Sequence, residues 1–229
     1  MATKPLILVT GAKGLLATNL ANYLDFVGID REYDIRDAKI IEKVFKRIKP
    51  DLVVHLAAIV DATDSNKDLM WGTNVLGTQN VALNSPHLIY ISTDYVFDGK
   101  KGNYKENDLI NPQSYYAESK AKGEIETHWA KKYTIIRTSF KPIPFKHDQA
   151  PDNMFTSADY VPIIAYNIAL AIKNYKKLPP FLHIGTERKS VYDLAIRTKP
   201  NVKRIKLKDI KANLPRDCSL NTDLWKSLN

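Results

Sequence analysis

One stretch of the chain gathers the residue types that reduction of a ketone needs. The apolar run Leu88 to Ile91 reads as a buried strand, and Ser92, Thr93 and Asp94 follow at its end. Further on, Tyr116-Ala117-Glu118-Ser119-Lys120 sets a phenol and an ammonium four residues apart, so both face one way on a helix. No other of the twelve tyrosines has a lysine at that spacing. A hydroxyl donor, a phenol and an ammonium are what protonation of a carbonyl oxygen requires while hydride reaches its carbon. With Lys120 cationic beside it, the Tyr116 phenol is expected to be lowered toward neutrality. Thr93 is expected to hydrogen-bond the oxygen as charge develops there.

The chain opens with a matching cofactor signal, Val9-Thr10-Gly11-Ala12-Lys13-Gly14-Leu15-Leu16-Ala17. Gly11 allows a tight turn after a strand. Gly14 lets a pyrophosphate approach the backbone at a helix start, and Ala17 allows close helix–sheet packing. Asp30, nineteen residues after Gly11, stands where an acid accepts from an adenosine ribose, which favours NAD(H). Lys13 and Arg31 could instead meet a ribose 2′-phosphate, which favours NADP(H), and both cofactors stay open.

These residues need a scaffold of alternating elements. Pro5 to Thr10, Val27 to Asp30, Leu52 to His55, Leu88 to Ser92 and Thr134 to Arg137 read as strands. Helices are expected over Gly14 to Tyr23, Ala38 to Ile48, Lys67 to Leu83, Ser114 to Lys131 and Val161 to Ile172. Continuously apolar strands alternating with helices imply a parallel sheet covered on both faces, with ligands beyond the carboxyl ends of the strands. Lys141 to Asp159, with three prolines and little periodicity, reads as loop, and Leu182 to Ile184 as a strand returning to the sheet. The division expected is a cofactor domain over 1–140 and a small substrate-binding lobe over 141–229.

The order of these signals along one chain resembles the extended short-chain dehydrogenase/reductases. It runs from the Gly-rich turn through Asn74-Val75-Leu76-Gly77-Thr78 and Thr93 to Tyr116 and Lys120. Within that superfamily, Ile91-Ser92-Thr93-Asp94-Tyr95-Val96-Phe97-Asp98-Gly99 and the tail Leu214 to Thr222 resemble the dTDP-4-dehydrorhamnose reductases. The resemblance is strong over 5–140 and thin over 141–213. It implies an α/β fold, a Rossmann-type doubly wound parallel sheet with a small C-terminal substrate-binding lobe. It implies NAD(P)H-dependent reduction of a nucleotide-linked 4-keto-6-deoxy sugar, with dTDP-4-dehydrorhamnose foremost. Thr93, Tyr116 and Lys120 would be catalytic, and Lys120 would also bind the nicotinamide ribose. Leu15 would join the cofactor turn, Asp34-Ile35 would hold adenine, and Ala57-Ala58 would lie along the cofactor. Asn74 would support Lys120 through backbone and water. Thr93, Asp94, Phe140 and Arg216 would meet the sugar. Phe140 stands where the family commonly has Trp, which bears on which sugar is taken. A nucleotide-sugar epimerase or dehydratase of this fold, or a non-catalytic NAD(P)-binding regulatory subunit, are the alternatives. The dehydratases place Glu where this chain has Tyr95.

Composition narrows the rest. The net charge is +9, with part of the excess in Lys199 to Lys208, where Ile205 and Leu207 alternate with Lys206 and Lys208 as in a half-buried strand with a charged outer face. No zinc-finger, basic-zipper or RNA-binding aromatic pattern accompanies the charge, so no nucleic-acid partner is expected. The excess suits phosphate-rich ligands. Cys218 is the single cysteine, and no His, Asp or Glu spacing suggests a metal site. His55, within an apolar strand, reads as a core or cofactor-side histidine. No apolar run is long enough to span a bilayer, and no signal peptide is visible, so the expectation is a cytoplasmic protein, with a homodimer left open.

Overall fold

Alternation along short apolar strands builds the core. The computed structural model describes residues 4–60, 66–211 and 214–229. In chain order β1 is Ile7–Thr10, α1 Leu15–Leu20, β2 Val27–Ile29, α2 Ala38–Ile48, β3 Leu52–His55 and α3 Lys67–Trp71. A π-helical turn over Gly72–Gly77 joins α3 to α4, Thr78–Asn84. Next come β4, Leu88–Thr93, α5, Tyr115–Glu126, and β5, Tyr133–Thr138. Then β6 is Phe140–Lys141, β7 Gln149–Pro151, β8 Phe155–Thr156, β9 Asp159–Tyr160 and α6 Val161–Lys173. The chain ends with β10, Phe181–His183, β11, Lys189–Ser190, α7, Val191–Ala195, β12, Lys203–Ile205, and α8, Asp223–Ser227.

Six parallel strands form the main sheet in the order β10-β5-β4-β3-β1-β2. Ile7, Val9, Leu52, Val54, Ile89 and Ile91 point to one face and pack with α1 and α6. Leu8, Val53 and Leu88 point to the other and pack with Ile41, Val44 and Phe45 of α2 and Val81 of α4. Both faces are thus buried, which is why β1, β3 and β4 run without polar alternation until Thr10, His55 and Ser92 at their carboxyl ends. Strand order reverses direction between β1 and β3. Their carboxyl ends therefore diverge into a crevice, the place where such sheets take ligands.

Helix starts are set by side-chain caps. The Asp37 carboxylate accepts from the N–H groups of Lys39 and Ile40, and the Ser114 hydroxyl from that of Ala117. The expected helix over Lys67 to Leu83 is present, but the π turn interrupts it. That turn carries Thr73 and Asn74, and a wide turn of this kind re-aims the side chains it holds.

Beyond residue 140 the chain divides. Helix α6, β10, which pairs in parallel with β5, and Trp225 of α8 complete the main core. The remainder closes over a smaller core of Phe145, Met154, Tyr160, Val191, Leu194 and Val202. The stretch expected as loop, Lys141 to Asp159, instead carries short strands. β6 pairs with β9, β7 with β12 and β8 with β11. Pieces of two or three residues carry no measurable periodicity, and most of their partners are remote in sequence. The charged segment after Lys199 is strand only over β12. The alternation expected to continue through Lys208 gives way to a short 3₁₀ turn at Leu207–Asp209, with Lys206 paired to Asp152. Among the described residues no helix is long and apolar enough to cross a membrane.

Candidate active site

A cavity of about 780 Å³ opens at the diverging ends of β1 and β3. Gly11, Lys13, Gly14, Asp30, Arg31, Asp34, Ile35, Ala57 and Ala58 all line it. Gly11 has φ 69°, and a Cβ there would lie 2.8 Å from the backbone of Ala57. Glycine is therefore required both for the left-handed turn and for the approach of the β3 loop. Gly14 heads α1 with no side-chain cap, leaving first-turn N–H groups available. Asp30 stands at the rim. Burial opposes its ionisation, but hydrogen bonds from the backbone N–H groups of Lys13 and Arg31, both 2.9 Å, outweigh this and hold the carboxyl below its ordinary value. Asp34 is also held low, chiefly by its hydrogen bonds from the Arg36 guanidinium. The size, the glycine turn and the rim carboxylate fit a dinucleotide.

Four of the residues expected at the cofactor, Leu15, Asn74, Tyr116 and Lys120, lie off this lining. Leu15 is partly exposed at the start of α1. Asn74 is fully buried, and its side-chain amide clamps Ile59 and Ser119. It accepts from Ile59 N–H at 2.8 Å and donates to the Ile59 carbonyl at 3.0 Å and the Ser119 hydroxyl at 2.9 Å. It thus ties the cavity wall at Ile59 to α5. Tyr33, Arg36, Leu69 and Thr73 line the cavity without having been singled out in the sequence. Tyr33 and Arg36 flank the Asp34-Ile35 pair and were within reach of a local reading. Leu69 and Thr73 arrive from α3 and the π turn, which no local signal could indicate.

The floor of the crevice rests on a buried histidine. Thr10 Oγ1 lies 2.6 Å from His55 Nδ1, and Thr78 Oγ1 lies 3.0 Å from Nε2. The Thr78 hydroxyl already donates to the Asn74 carbonyl at 2.8 Å, so it accepts from Nε2–H. Nδ1 is then the acceptor for Thr10, whose oxygen in turn accepts from the N–H groups of Leu56 and Ala57, both at 3.3 Å. Burial, with Lys120 adding to it, lowers His55 to about 3, so the ring stays neutral in this role.

One strand further along, at the carboxyl end of β4, lie the other expected residues. Thr93 is buried. Its hydroxyl donates to Asp94 Oδ1 at 3.2 Å and accepts from Tyr95 N–H. The half-buried Tyr116 phenol stands beside it at the start of α5. Burial and then the Asp94 carboxylate push that phenol above its ordinary value, with the Thr93 hydroxyl opposing. The expected lowering of the phenol is thus reversed by burial and Asp94. Lys120 is engaged by β4. Its ammonium donates to the Ile91 carbonyl at 2.8 Å and sits 4.0 Å from the centre of the Tyr90 ring. Burial lowers Lys120 to about 7, against the pull of Glu124. Asp94 is raised to about 7 by burial, opposed by Lys141, Thr93 and Ser139.

Behind this group Glu124 receives Arg137 at 2.8 and 3.0 Å and the Ser92 hydroxyl at 2.6 Å, a buried ion pair that fixes α5 against β4 and β5. Phe140 follows β5 and packs on the edge of the main core. Arg216 is exposed in the tail, next to Asp217, whose N–H donates to the Gly99 carbonyl at 2.9 Å. The tail therefore adjoins the loop that begins at Thr93. Cys218 is buried and its thiol is pushed up, first by burial. Among the described residues no group of three or more His, Cys, Asp or Glu is placed to hold a metal.

Residues 5–141 match the family described as RmlD substrate binding domain. A dTDP-4-dehydrorhamnose reductase of Aggregatibacter actinomycetemcomitans is 34% identical over 149 residues, which are 58% of this chain and 51% of that protein. Methionine adenosyltransferase 2 subunit beta of Danio rerio is 34% identical over 139 residues, 52% of this chain and 42% of that protein. The matched region thus spans about half the length of the curated relatives or less. A solved dTDP-4-dehydrorhamnose reductase ortholog from Clostridium acetobutylicum has 25% identity and a TM-score of 0.85, covering 97% of this chain and 92% of that one. A dTDP-4-dehydrorhamnose reductase from Bacillus anthracis, solved with NADP, shares the fold at a TM-score of 0.87 and 24% identity, covering 100% of this chain and 93% of that one. By its sequence match over residues 5–141, the chain belongs to the RmlD substrate-binding-domain family.

Proposed function

We propose that the chain is an NAD(P)H-dependent reductase of a nucleotide-linked 4-keto-6-deoxy sugar, with dTDP-4-dehydrorhamnose as the foremost substrate. The observation that carries this reading is the gathering of Thr93, Tyr116 and Lys120 at the end of β4, one strand from the glycine-turned cavity. Gly11, Lys13, Gly14, Asp30, Asp34 and Ala57 would hold the dinucleotide. When bound, its reduced nicotinamide supplies hydride to the sugar carbonyl carbon. Tyr116 gives the oxygen its proton. A phenol held above its ordinary value is fully loaded as an acid at neutral pH. Thr93 holds the same oxygen by turning its hydroxyl from Asp94. Lys120 would hold the hydroxyls of the nicotinamide ribose. The part of 141–229 built on the smaller core would meet the sugar, together with Phe140 and Arg216.

Dehydration is the less favoured chemistry here. Tyr95 stands beside Asp94, and its phenol is pushed up by burial, so Asp94 has no adjacent carboxylate partner there. A non-catalytic regulatory role is the second reading, favoured by the likeness to methionine adenosyltransferase 2 subunit beta. The deciding experiment incubates the protein with dTDP-4-dehydrorhamnose and each reduced dinucleotide. Absorbance of the cofactor is followed beside product mass. Stoichiometric oxidation with a product two hydrogens heavier is expected. Tight dinucleotide binding without turnover on any keto sugar would move the assignment to the regulatory role.

A further inference from the structure

The rim of the cavity carries a residue that neither the glycine turn nor the Asp30 position accounts for. Glu32 spans the end of β2 and the glycine-rich turn with both carboxylate oxygens. Oε1 accepts from the Asp30 backbone N–H at 3.2 Å, and Oε2 receives the Lys13 ammonium at 3.2 Å. Of the cations lining the cavity, Lys13 is therefore held by Glu32, and Arg36 is held by Asp34 in a two-pronged contact. Arg31 has no carboxylate in contact among the described residues, and its backbone N–H is the group that serves Asp30. The neighbourhood of the adenosine ribose thus sets Asp30, Glu32 and Asp34 against Lys13, Arg31 and Arg36. A ribose with a free 2′-hydroxyl can donate to Asp30 there. A 2′-phosphate would bring about two further negative charges to a rim whose lysine is already paired.

We infer that Glu32 sets the cofactor preference of this site, holding Lys13 away from a ribose 2′-phosphate and so selecting NAD(H) over NADP(H). The inference rests on the dinucleotide reading above. It adds a residue that acts through Lys13 and Asp30 and not by lining the cavity itself. Glu32 is ionised across the neutral range, its carboxyl held low by its own backbone N–H and by Lys13. The pair is exposed, with side chains 76% and 48% accessible, so it contributes little to folding. Removing the charge of Glu32 therefore changes ligand preference without unfolding the site.

The test titrates the purified chain with NADH and NADPH, and with 5′-ADP and 2′,5′-ADP, which carry the ribose difference without nicotinamide. The wild-type chain is expected to bind NADH more tightly than NADPH. Glu32→Gln should tighten NADPH and 2′,5′-ADP about fivefold, the scale of one screened charge pair, with NADH and 5′-ADP changed by less than about twofold. Glu32→Asp, which keeps the charge, should retain the wild-type preference. Lys13→Met, at a residue that would hold the dinucleotide, should weaken all four ligands to a similar extent, and in its background Glu32→Gln should no longer tighten NADPH or 2′,5′-ADP, a coupling that loss of fold would not produce. Tighter NADPH binding by the wild type, with a ratio unmoved by Glu32→Gln, overturns the inference alone. Failure of all four ligands to bind overturns the dinucleotide reading and the inference with it.

Discussion

The ammonium of Lys120 lies over the face of Tyr90, 4.0 Å from the ring centre, and the same nitrogen donates to the Ile91 carbonyl. This lysine, carried on α5, is thus bound to β4. Cation–π contact and one carbonyl compensate only part of the hydration lost on burial, which is why the group falls to about 7.

The first prediction follows from that burial. A base lowered on folding binds fewer protons in the folded chain than in the unfolded one between about pH 7 and its ordinary value near 10.4. The Lys120 contribution to stability therefore rises as pH climbs through that window. Lys120→Met should be the more stable protein near pH 7, by a few kcal/mol at most by order of magnitude, and the advantage should shrink toward pH 10. Urea melts of both proteins at a series of pH values check this, and parallel curves would contradict it.

Tyr116→Phe removes the proton donor and leaves the cavity lining untouched. Turnover of the keto sugar should fall by at least about 10²-fold, the usual contribution of a general acid. Dinucleotide affinity, read by direct titration, should stay near the wild-type value. Near-normal turnover would remove Tyr116 from the mechanism.

Asp94 titrates in the opposite sense to Lys120. Its carboxyl is raised to about 7 on folding, so the folded chain binds more protons than the unfolded one from about pH 4 to 7. The stability this group contributes is complete below its unfolded value and is lost as pH rises through 7. Asp94→Asn should abolish that loss, and at pH 8 it should exceed the wild type by up to about 4 kcal/mol. Denaturation at pH 5 and pH 8 measures the difference. An equal pH response in the two proteins would place the titration elsewhere.

Glu124 and Arg137 are both about 95% buried and meet in a two-pronged contact. Glu124→Gln leaves the guanidinium without its counter-charge and should cost about 3–5 kcal/mol. Thermal melting should show this as a drop of roughly 10 °C or more for a chain of this size. Glu124→Gln combined with Arg137→Met should recover part of the loss, because no unpaired charge then remains. Additive losses in the double variant would show that the pair contributes through packing alone.

Much of the scaffold was legible because it is written in local patterns. Ala38–Ile48 and Leu52–His55 were readable to the residue, since a 3.6-residue apolar face and a short continuous apolar run are properties of contiguous sequence. The return of Phe181–His183 to the sheet was legible for the same reason. The glycine turn, Asp30, Asp34 and Ala57 reach one cavity because each stands at the carboxyl end of a strand or just beyond it, and a parallel sheet brings such ends together.

Other features depend on partners distant along the chain. The strand pairs inside the smaller core join Gln149–Pro151 to Lys203–Ile205 and Phe155–Thr156 to Lys189–Ser190, and no segment of two or three residues announces its partner. The side-chain partners of Asn74, Ile59 and Ser119, are set by the π turn and carried no local signal. Glu32 carried no signal until Lys13 and the end of β2 were seen to meet across it. The sequence by itself determined which groups are available to do chemistry and on which element each stands, because residue type and periodicity are local. Only the tertiary structure decided their charge states and neighbours, lowering Lys120 and raising Asp94 and Tyr116. Desolvation and hydrogen bonding depend on what packs around a group, and that packing is assembled from the whole chain.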